Sequence, residues 1–406
     1  MSVDLSGAAR REFAQHWPIV LASALAIGVG MMGIGFYALG LFVAPLQAEF
    51  GWSRAAASGA ATFQQLGIFL SAPLVGRLAD RYGVRRIALA SFIAAPIGLM
   101  LLSRCGNSVT MWWGLWLLVS LAGCGTTPAI WARAIAARFE KGRGLALGIM
   151  LLGSGMAALL APALLGPVIV SGGWRSAALA MAGAMLFVGI PVSLMMPGEA
   201  ARKNTAATIE PRAKGRFEAN RQTLTLVLVA IMLGFLVAGL IVHLVPMVID
   251  RGMAPAQAAG VAANIGIAVI FARVVVGYLF DKLHAPFVAA TFLVSPVIAA
   301  LLLAYGGPVT LAALMLGLAA GAEVDMLAYF TGRYARLENY GATFGTILGL
   351  FSLGAAFGPL AFGWSVDLTG DYHFALVGSA VALAVVVWLI ATLGASRQAE
   401  GVLQEA

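Results

Sequence analysis

The sequence predicts an all-α polytopic membrane protein of twelve transmembrane helices, arranged as two pseudo-symmetric six-helix bundles. Three observations lead there. The 406 residues are 61% hydrophobic and only 10% charged, whereas a soluble domain is about 45–50% apolar and about 25% charged. The apolar residues fall into twelve runs, each long enough to meet the roughly 20 residues that a helix needs to cross a bilayer. The chain also repeats itself. Pro45 recurs as Pro246, Glu49 as Asp250, Gly51 as Gly252, Gly59 as Gly260, Gly76 as Gly277 and Asp80 as Asp281, always 201 positions later (45 to 246, 80 to 281). A fixed period marks a duplicated structural unit. In apolar chains, parallel duplication is characteristic of transporters whose substrate site lies between the halves near the bilayer midplane.

The first six spans are expected at about 17–48, 55–76, 87–103, 111–132, 144–170 and 176–197, within an N-terminal bundle covering 1–197. Residues 198–221 hold Arg202, Lys203, Arg212, Lys214 and Arg216 and read as a solvated, cytoplasmic linker. The second bundle, 222–395, places its spans at about 223–249, 256–280, 285–305, 308–331, 341–366 and 374–393, and residues 396–406 form a cytoplasmic tail. Glycines recur within the spans, as at Gly28, Gly30, Gly33 and Gly35 and again at Gly341, Gly345, Gly349, Gly354 and Gly358. Small residues so spaced let helix backbones approach closely in lipid.

Charge sets the orientation, because cytoplasmic loops are enriched in Lys and Arg. With both termini cytoplasmic, nineteen of the 25 basic residues fall on that side. Only Arg54, Arg104, Arg175 and Arg251 fall opposite, and Arg133 and Arg273 are left within spans. The net charge of +8 is therefore a topology signal, and nucleic acid is not an expected partner. The N-terminal apolar run is too long for a cleaved leader, so none is expected. Cys105 and Cys124 have no metal or redox spacing and read as packing residues. With no nucleotide loop, metal cluster or catalytic triad in the sequence, an enzyme is not expected, nor is any cofactor.

Between spans 2 and 3 the chain reads Gly76-Arg77-Leu78-Ala79-Asp80-Arg81-Tyr82-Gly83-Val84-Arg85-Arg86; between spans 8 and 9 it reads Gly277-Tyr278-Leu279-Phe280-Asp281-Lys282. These stretches resemble the signature loop of the major facilitator superfamily, in both halves. The resemblance implies a secondary transporter and assigns Gly76, Asp80, Arg81, Gly277 and Asp281 to a gate. Further motifs are Tyr37-Ala38-Leu39-Gly40-Leu41-Phe42-Val43-Ala44-Pro45, Phe50-Gly51-Trp52-Ser53-Arg54-Ala55, Arg138-Phe139-Glu140-Lys141-Gly142-Arg143-Gly144-Leu145-Ala146, Ala272-Arg273 and Asn339-Tyr340-Gly341. Together they resemble the monocarboxylate transporter and oxalate–formate antiporter branch.

An ionisable side chain inside a span costs at least a few kcal/mol unless paired. Arg273 stands where the first half has Ala72, so the second half replaces a small apolar residue with a permanent cation. Its planar fork suits a carboxylate, and the resemblance implies a substrate-binding arginine here. Glu323 and Asp325 in span 10 lie at about the same depth, roughly 12–15 Å from the cytoplasmic end by helical rise. Because an adjoining cation and burial act oppositely on a carboxyl group, either acid is a proton-coupling candidate. The alternative is a permanent ion pair joining spans 8 and 10. Two-residue spacing places the two acids on different faces, so one of them is expected to face the cavity.

His243 stands where the first half has Phe42 and is either a titrating substrate contact or a partner for carbonyls freed by Pro246. Tyr37 matches a pocket tyrosine of the branch or serves as aromatic packing. Arg133 is expected to snorkel to the interface. The chain also departs from the branch. Val269 stands where vertebrate-type relatives carry an aspartate, and Ile347 where the oxalate antiporter carries a lysine. One fixed cation implies one substrate carboxylate. The expected function is proton-coupled uptake of a monocarboxylate or small organic anion by alternating access, by a monomer in a bacterial inner membrane. The rival is proton-driven efflux of hydrophobic compounds, whose span 5 signature the stretch after Gly166-Pro167 matches poorly.

Overall fold

The computed structural model describes residues 7–196, 216–336 and 339–393. Among the described residues ten helices are apolar and long enough to cross a membrane, but Arg143–Leu194, at 52 residues, would stretch about 78 Å by helical rise. It breaks at Gly173, whose φ of 75° is left-handed, and so supplies two spans. Ala60–Tyr82 is the remaining one, its apolar run diluted by the buried Gln64 and Gln65.

The spans follow in order. Helix α1 runs in three pieces, Gly7–Val29, Ile34–Tyr37 and Leu39–Phe50, and α2 in two, Arg54–Ser58 and Ala60–Tyr82. Next come α3 (Val84–Leu102) and α4 (Val109–Ala122, a 3-10 turn at Gly123–Thr126, then Pro128–Ala136). Arg143–Ala184 supplies α5 before Gly173 and α6 after it, and α6 continues to Ile190–Leu194. The second half comprises α7 (Arg221–Asp250), α8 (Pro255–Lys282), α9 (Ala285–Ala304), α10 (Val309–Tyr334), α11 (Tyr340–Thr369) and α12 (His373–Ala391). An even number of spans puts the start of α1 and the end of α12 on one face, called here the terminal face; the opposite one is the far face.

The duplication survives in backbone geometry. Gly51 and Gly252 end α1 and α7 with φ of 67° and 86°, a conformation only glycine adopts without strain. Pro45 and Pro246 both lie inside their helices. The expected linker, 198–221, falls largely outside the described residues, and the expected tail, 396–406, wholly so. Residues 216–220 lead into an Asn220–Thr223 capping box that starts α7.

Helices expected to be continuous are interrupted where the first half needs room. At Gly30–Gly33 α1 loses its helical bonding, and the freed groups are met by side chains. The Met31 N–H donates to Thr126 Oγ1 at 3.0 Å, and Gln64 Nε2 donates to the Met31 carbonyl at 3.0 Å. Irregular backbone at membrane depth persists only when protein satisfies it in this way.

Glycines set helix spacing through fixed registers. Helices α8 and α10 run parallel with a constant offset of 52. A Cβ at Gly317 would lie 2.3 Å from the Ile265 carbonyl oxygen, and one at Gly321 would lie 2.6 Å from that of Val269. Helices α2 and α11 run antiparallel across the two halves. Gly363 sits on Ala55, Ser58 Oγ bonds the Pro359 carbonyl at 3.1 Å, Thr62 Oγ1 bonds the Ala356 carbonyl at 2.6 Å, and Phe69 touches Gly349. Helices α5 and α8 also cross between halves, with Gly155 against Ile270, Gly266 against Leu159 and Gly166 against Ala259. These seams close the far face and leave a cavity beneath it.

Leucine at Gly321 must push α8 and α10 apart, because a backbone carbonyl cannot yield as a side chain can. Overpacking of this kind costs about 1–3 kcal/mol. Gly321→Leu should lower the thermal-unfolding midpoint of the detergent-solubilised protein, while Gly148→Leu, whose Cβ meets nothing within 4 Å, should not.

Candidate functional site

The parallel register of α8 and α10 determines where the buried charges meet. Residues 265, 269 and 273 form one stripe of α8, and 317, 321 and 325 form the facing stripe of α10. Two turns of glycine contact bring the backbones together, and the next turn presents Arg273 to Asp325. Arg273 Nη1 lies 3.4 and 3.5 Å from the two Asp325 carboxylate oxygens. The side chains are 12% and 29% exposed. The pair is long, and it leaves much of the guanidinium unused. Nη2 reaches Ser154 Oγ on α5 at 3.4 Å, and the buried Nε has no partner.

Glu323 sits two residues earlier, about 200° around the helix, and faces elsewhere. It is 8% exposed, lines the cavity between the halves, and its Oε2 has no hydrogen-bond partner. Tyr37, from the short middle piece of α1, lines the same cavity, with its ring edge-on to Phe36 at 5.3 Å. The structure thus brings Arg273, Glu323 and Tyr37 together around one space and gives Asp325 to Arg273. The cavity measures about 400 Å³. Ser154, Arg273 and Glu323 supply polar groups, while Met32, Phe36, Phe69, Ile241, Leu348 and Phe351 make much of the remaining wall apolar.

His243 does not line the cavity. It lies fully buried toward the far face, with Nε2 2.8 Å from the Pro359 carbonyl and Nδ1 2.8 Å from the Tyr372 hydroxyl. A carbonyl only accepts, so Nε2 carries the hydrogen and Nδ1 accepts from Tyr372. This carbonyl belongs to α11 and is not one freed by Pro246. The described partners of His243 are thus Tyr372 and the Pro359 carbonyl at the far-face seam.

A charge cluster that sequence reasoning missed lies beside it. Arg54 Nη1 donates to Tyr372 Oη at 3.0 Å and Nη2 to Asp250 at 2.5 Å. Asp367 accepts from the backbone N–H groups of Arg54 and Ala55 at 2.8 and 3.0 Å, capping α2 from the opposite half. The signal available was the acidic repeat pair Glu49 and Asp250. Their uses differ: Glu49 pairs with Arg175 at 2.7 Å within its own half, whereas Asp250 crosses between the halves.

Of the five gate residues, Arg81 is exposed and stacks over Tyr82 at the end of α2. The side chains of Gly76, Asp80, Gly277 and Asp281, near the terminal-face ends of α2 and α8, lie outside the described residues. Arg133 is exposed near the end of α4.

Comparison with known proteins places this geometry in context. A family model described as Major Facilitator Superfamily matches residues 25–359. Human monocarboxylate transporter 11 is 28% identical over 333 residues, covering 77% of this chain and 69% of that protein. An MFS-type transporter 1 from an Ophiocordyceps species is 27% identical over 329 residues, covering 78% and 71%. Among solved structures, a bacterial homologue of the human lysosomal transporter Spinster, inward-facing and unoccupied, superposes with a TM-score of 0.70 at 16% identity, covering 95% and 97% of the two chains. A mutant of the nucleoside transporter NupG gives 0.72 at 12% identity, covering 92% and 98%.

If Arg273 and Asp325 act as a pair, removing one charge strands the other. Arg273→Gln and Asp325→Asn should each destabilise the protein, and the double variant should lose less than the sum of the two. A double-mutant cycle on thermal unfolding should return a coupling of about 0.5–3 kcal/mol.

Proposed function

This chain belongs to the Major Facilitator Superfamily, and on that premise we propose that it takes up a monocarboxylate or other small organic anion together with a proton. It is a multi-pass membrane transporter and not an enzyme. In the proposed cycle, Arg273 receives the carboxylate and Glu323 carries the proton. The halves rock about the cavity so that it opens to one face at a time. The observation that carries this reading is the incompletely used guanidinium. A permanent cation lines the cavity, held by one long carboxylate contact and with a buried donor unspent.

Charge accounting supplies the coupling. An anion entering this site adds a negative charge to a low-dielectric space that already holds Arg273, Asp325 and Glu323. Isolated charge there is expensive. A proton taken up on Glu323, or on Asp325 as the substrate displaces it from Arg273, restores the balance and makes joint passage the cheaper event. Tyr37 and Ser154 offer hydroxyls to the same substrate. In this reading the terminal face is cytoplasmic, the protein acts as a monomer in a bacterial inner membrane, and the Arg54 cluster latches the outer side. Export of hydrophobic compounds is the second reading, favoured by the apolar wall. It gives no role to Arg273.

Uptake of radiolabelled lactate and phenylacetate into proteoliposomes tests the proposal. Both should accumulate under an inside-alkaline gradient and be lost at least tenfold in Arg273→Gln, while Glu323→Gln should retain exchange but no longer respond to the gradient. Uptake that survives loss of Arg273, or that ignores the gradient, overturns it.

A further inference from the structure

Building on the carboxylate reading, we infer that the cargo is an amphipathic monocarboxylate with an arylalkyl or branched-alkyl tail, in place of a two- to four-carbon acid. The cavity lining is of two unlike kinds. One corner carries Arg273, Glu323 and Ser154, enough to hold a single carboxylate. The remaining lining is mostly apolar, with Met32, Phe36 and Phe69 from the first half and Ile241, Leu348 and Phe351 from the second, interrupted by Tyr37, Gln65, Thr127 and Ser352. A space of about 400 Å³ falls within the range of pockets that hold drug-sized ligands, about 300–1,000 Å³. A short acid would fill the polar corner and leave the apolar walls against water.

The tail compartment is kept open by missing side chains. Gly345 and Gly349 of α11 both line it, and a Cβ at Gly345 would meet nothing within 4 Å. A chain built for short acids gains nothing from that emptiness. Phe69 approaches Gly349 where α2 and α11 meet, so a tail seated there touches both halves at once. Met32 and the aromatic rings offer polarizable contacts that suit an aryl group and tolerate variation in its shape. Each methylene moved from water into such a wall strengthens binding about fourfold. The apolar compartment therefore discriminates among monocarboxylates that Arg273 alone would treat alike.

The experiment measures displacement of bound radiolabelled phenylacetate from the purified full-length protein by acetate, propionate, butyrate, 3-phenylpropionate and the cation benzylamine. The expected result is at least a tenfold advantage of 3-phenylpropionate over propionate, with benzylamine inert. That ratio should fall below about threefold in Gly345→Leu, which fills the compartment from an unobstructed Cβ. Phe351→Ala should lower it too, and Gly345→Leu remains decisive if the buried phenylalanine proves essential for folding. Acids competing equally whatever their tails, while Arg273→Gln still abolishes binding, would overturn this inference and leave the carboxylate reading standing. Benzylamine competing as well as 3-phenylpropionate, with Arg273→Gln without effect, would overturn both.

Discussion

The close approach of α8 and α10 is the constraint from which the site follows. Glycine at 317 and 321 lets two backbones meet at carbonyl distance, and a constant offset of 52 then leaves no freedom in what faces what. Arg273 must meet Asp325, and Glu323 must point away into the cavity. A guanidinium at membrane depth is tolerable only with a partner. Here the partner is held by helix packing and not by a short hydrogen bond, which explains a pair that persists at 3.4 Å. The first half repeats the device for a different end: Gly153 lies against the Ala24 carbonyl, joining α1 to α5 without placing a charge there.

Much of the fold was legible because its signals are local or periodic. Span length and apolarity follow from bilayer thickness, and the 201-residue repeat carries the same left-handed glycines, Gly51 and Gly252, into the same turns. The interruptions in α1 and α4 were not legible. Gly30 and Gly33 look like packing glycines in sequence, and only the nearness of Thr126 and Gln64 makes an unwound turn affordable there. Both partners are distant in sequence, and neither residue type announces such a role.

The candidate site divides in the same way. That one of Glu323 and Asp325 faces the cavity follows from their spacing. Which one does so depends on the register with α8, and the glycine stripe at 317 and 321 ending on 325 was the available clue. The resemblance to vertebrate-type relatives puts an acid one turn before Arg273, where this chain has Val269. Val269 is fully buried with its carbonyl against Gly321, and the carboxylate that faces Arg273 comes from α10 instead. His243 is not among the cavity-lining residues. Its neighbours Tyr372 and Pro359 lie more than a hundred residues away, beyond any local pattern.

The two halves of the duplication have divided their labour by charge. At cavity depth, Arg273, Asp325 and Glu323 all belong to the second half, and the first half contributes neutral groups, Tyr37, Ser154 and Phe69. No ion pair among them spans the halves, so their relative movement at that level breaks only weak contacts. Among the described residues, an ionic contact between the halves lies at the far face, where Arg54, 14% exposed on its side chain, meets Asp250, 42% exposed. At that edge water can reach Asp250 as the pair separates, which lowers the cost, whereas the same separation in the interior would strand both charges. Helix α11 connects the two levels, since it carries the seam with α2 at one end and the cavity wall at Gly345 and Leu348 further along. What fills the cavity therefore bears on the helix that closes the far face. A scaffold that must open and close in lipid is best served by keeping its strong charges within one half, or at an edge that water can reach.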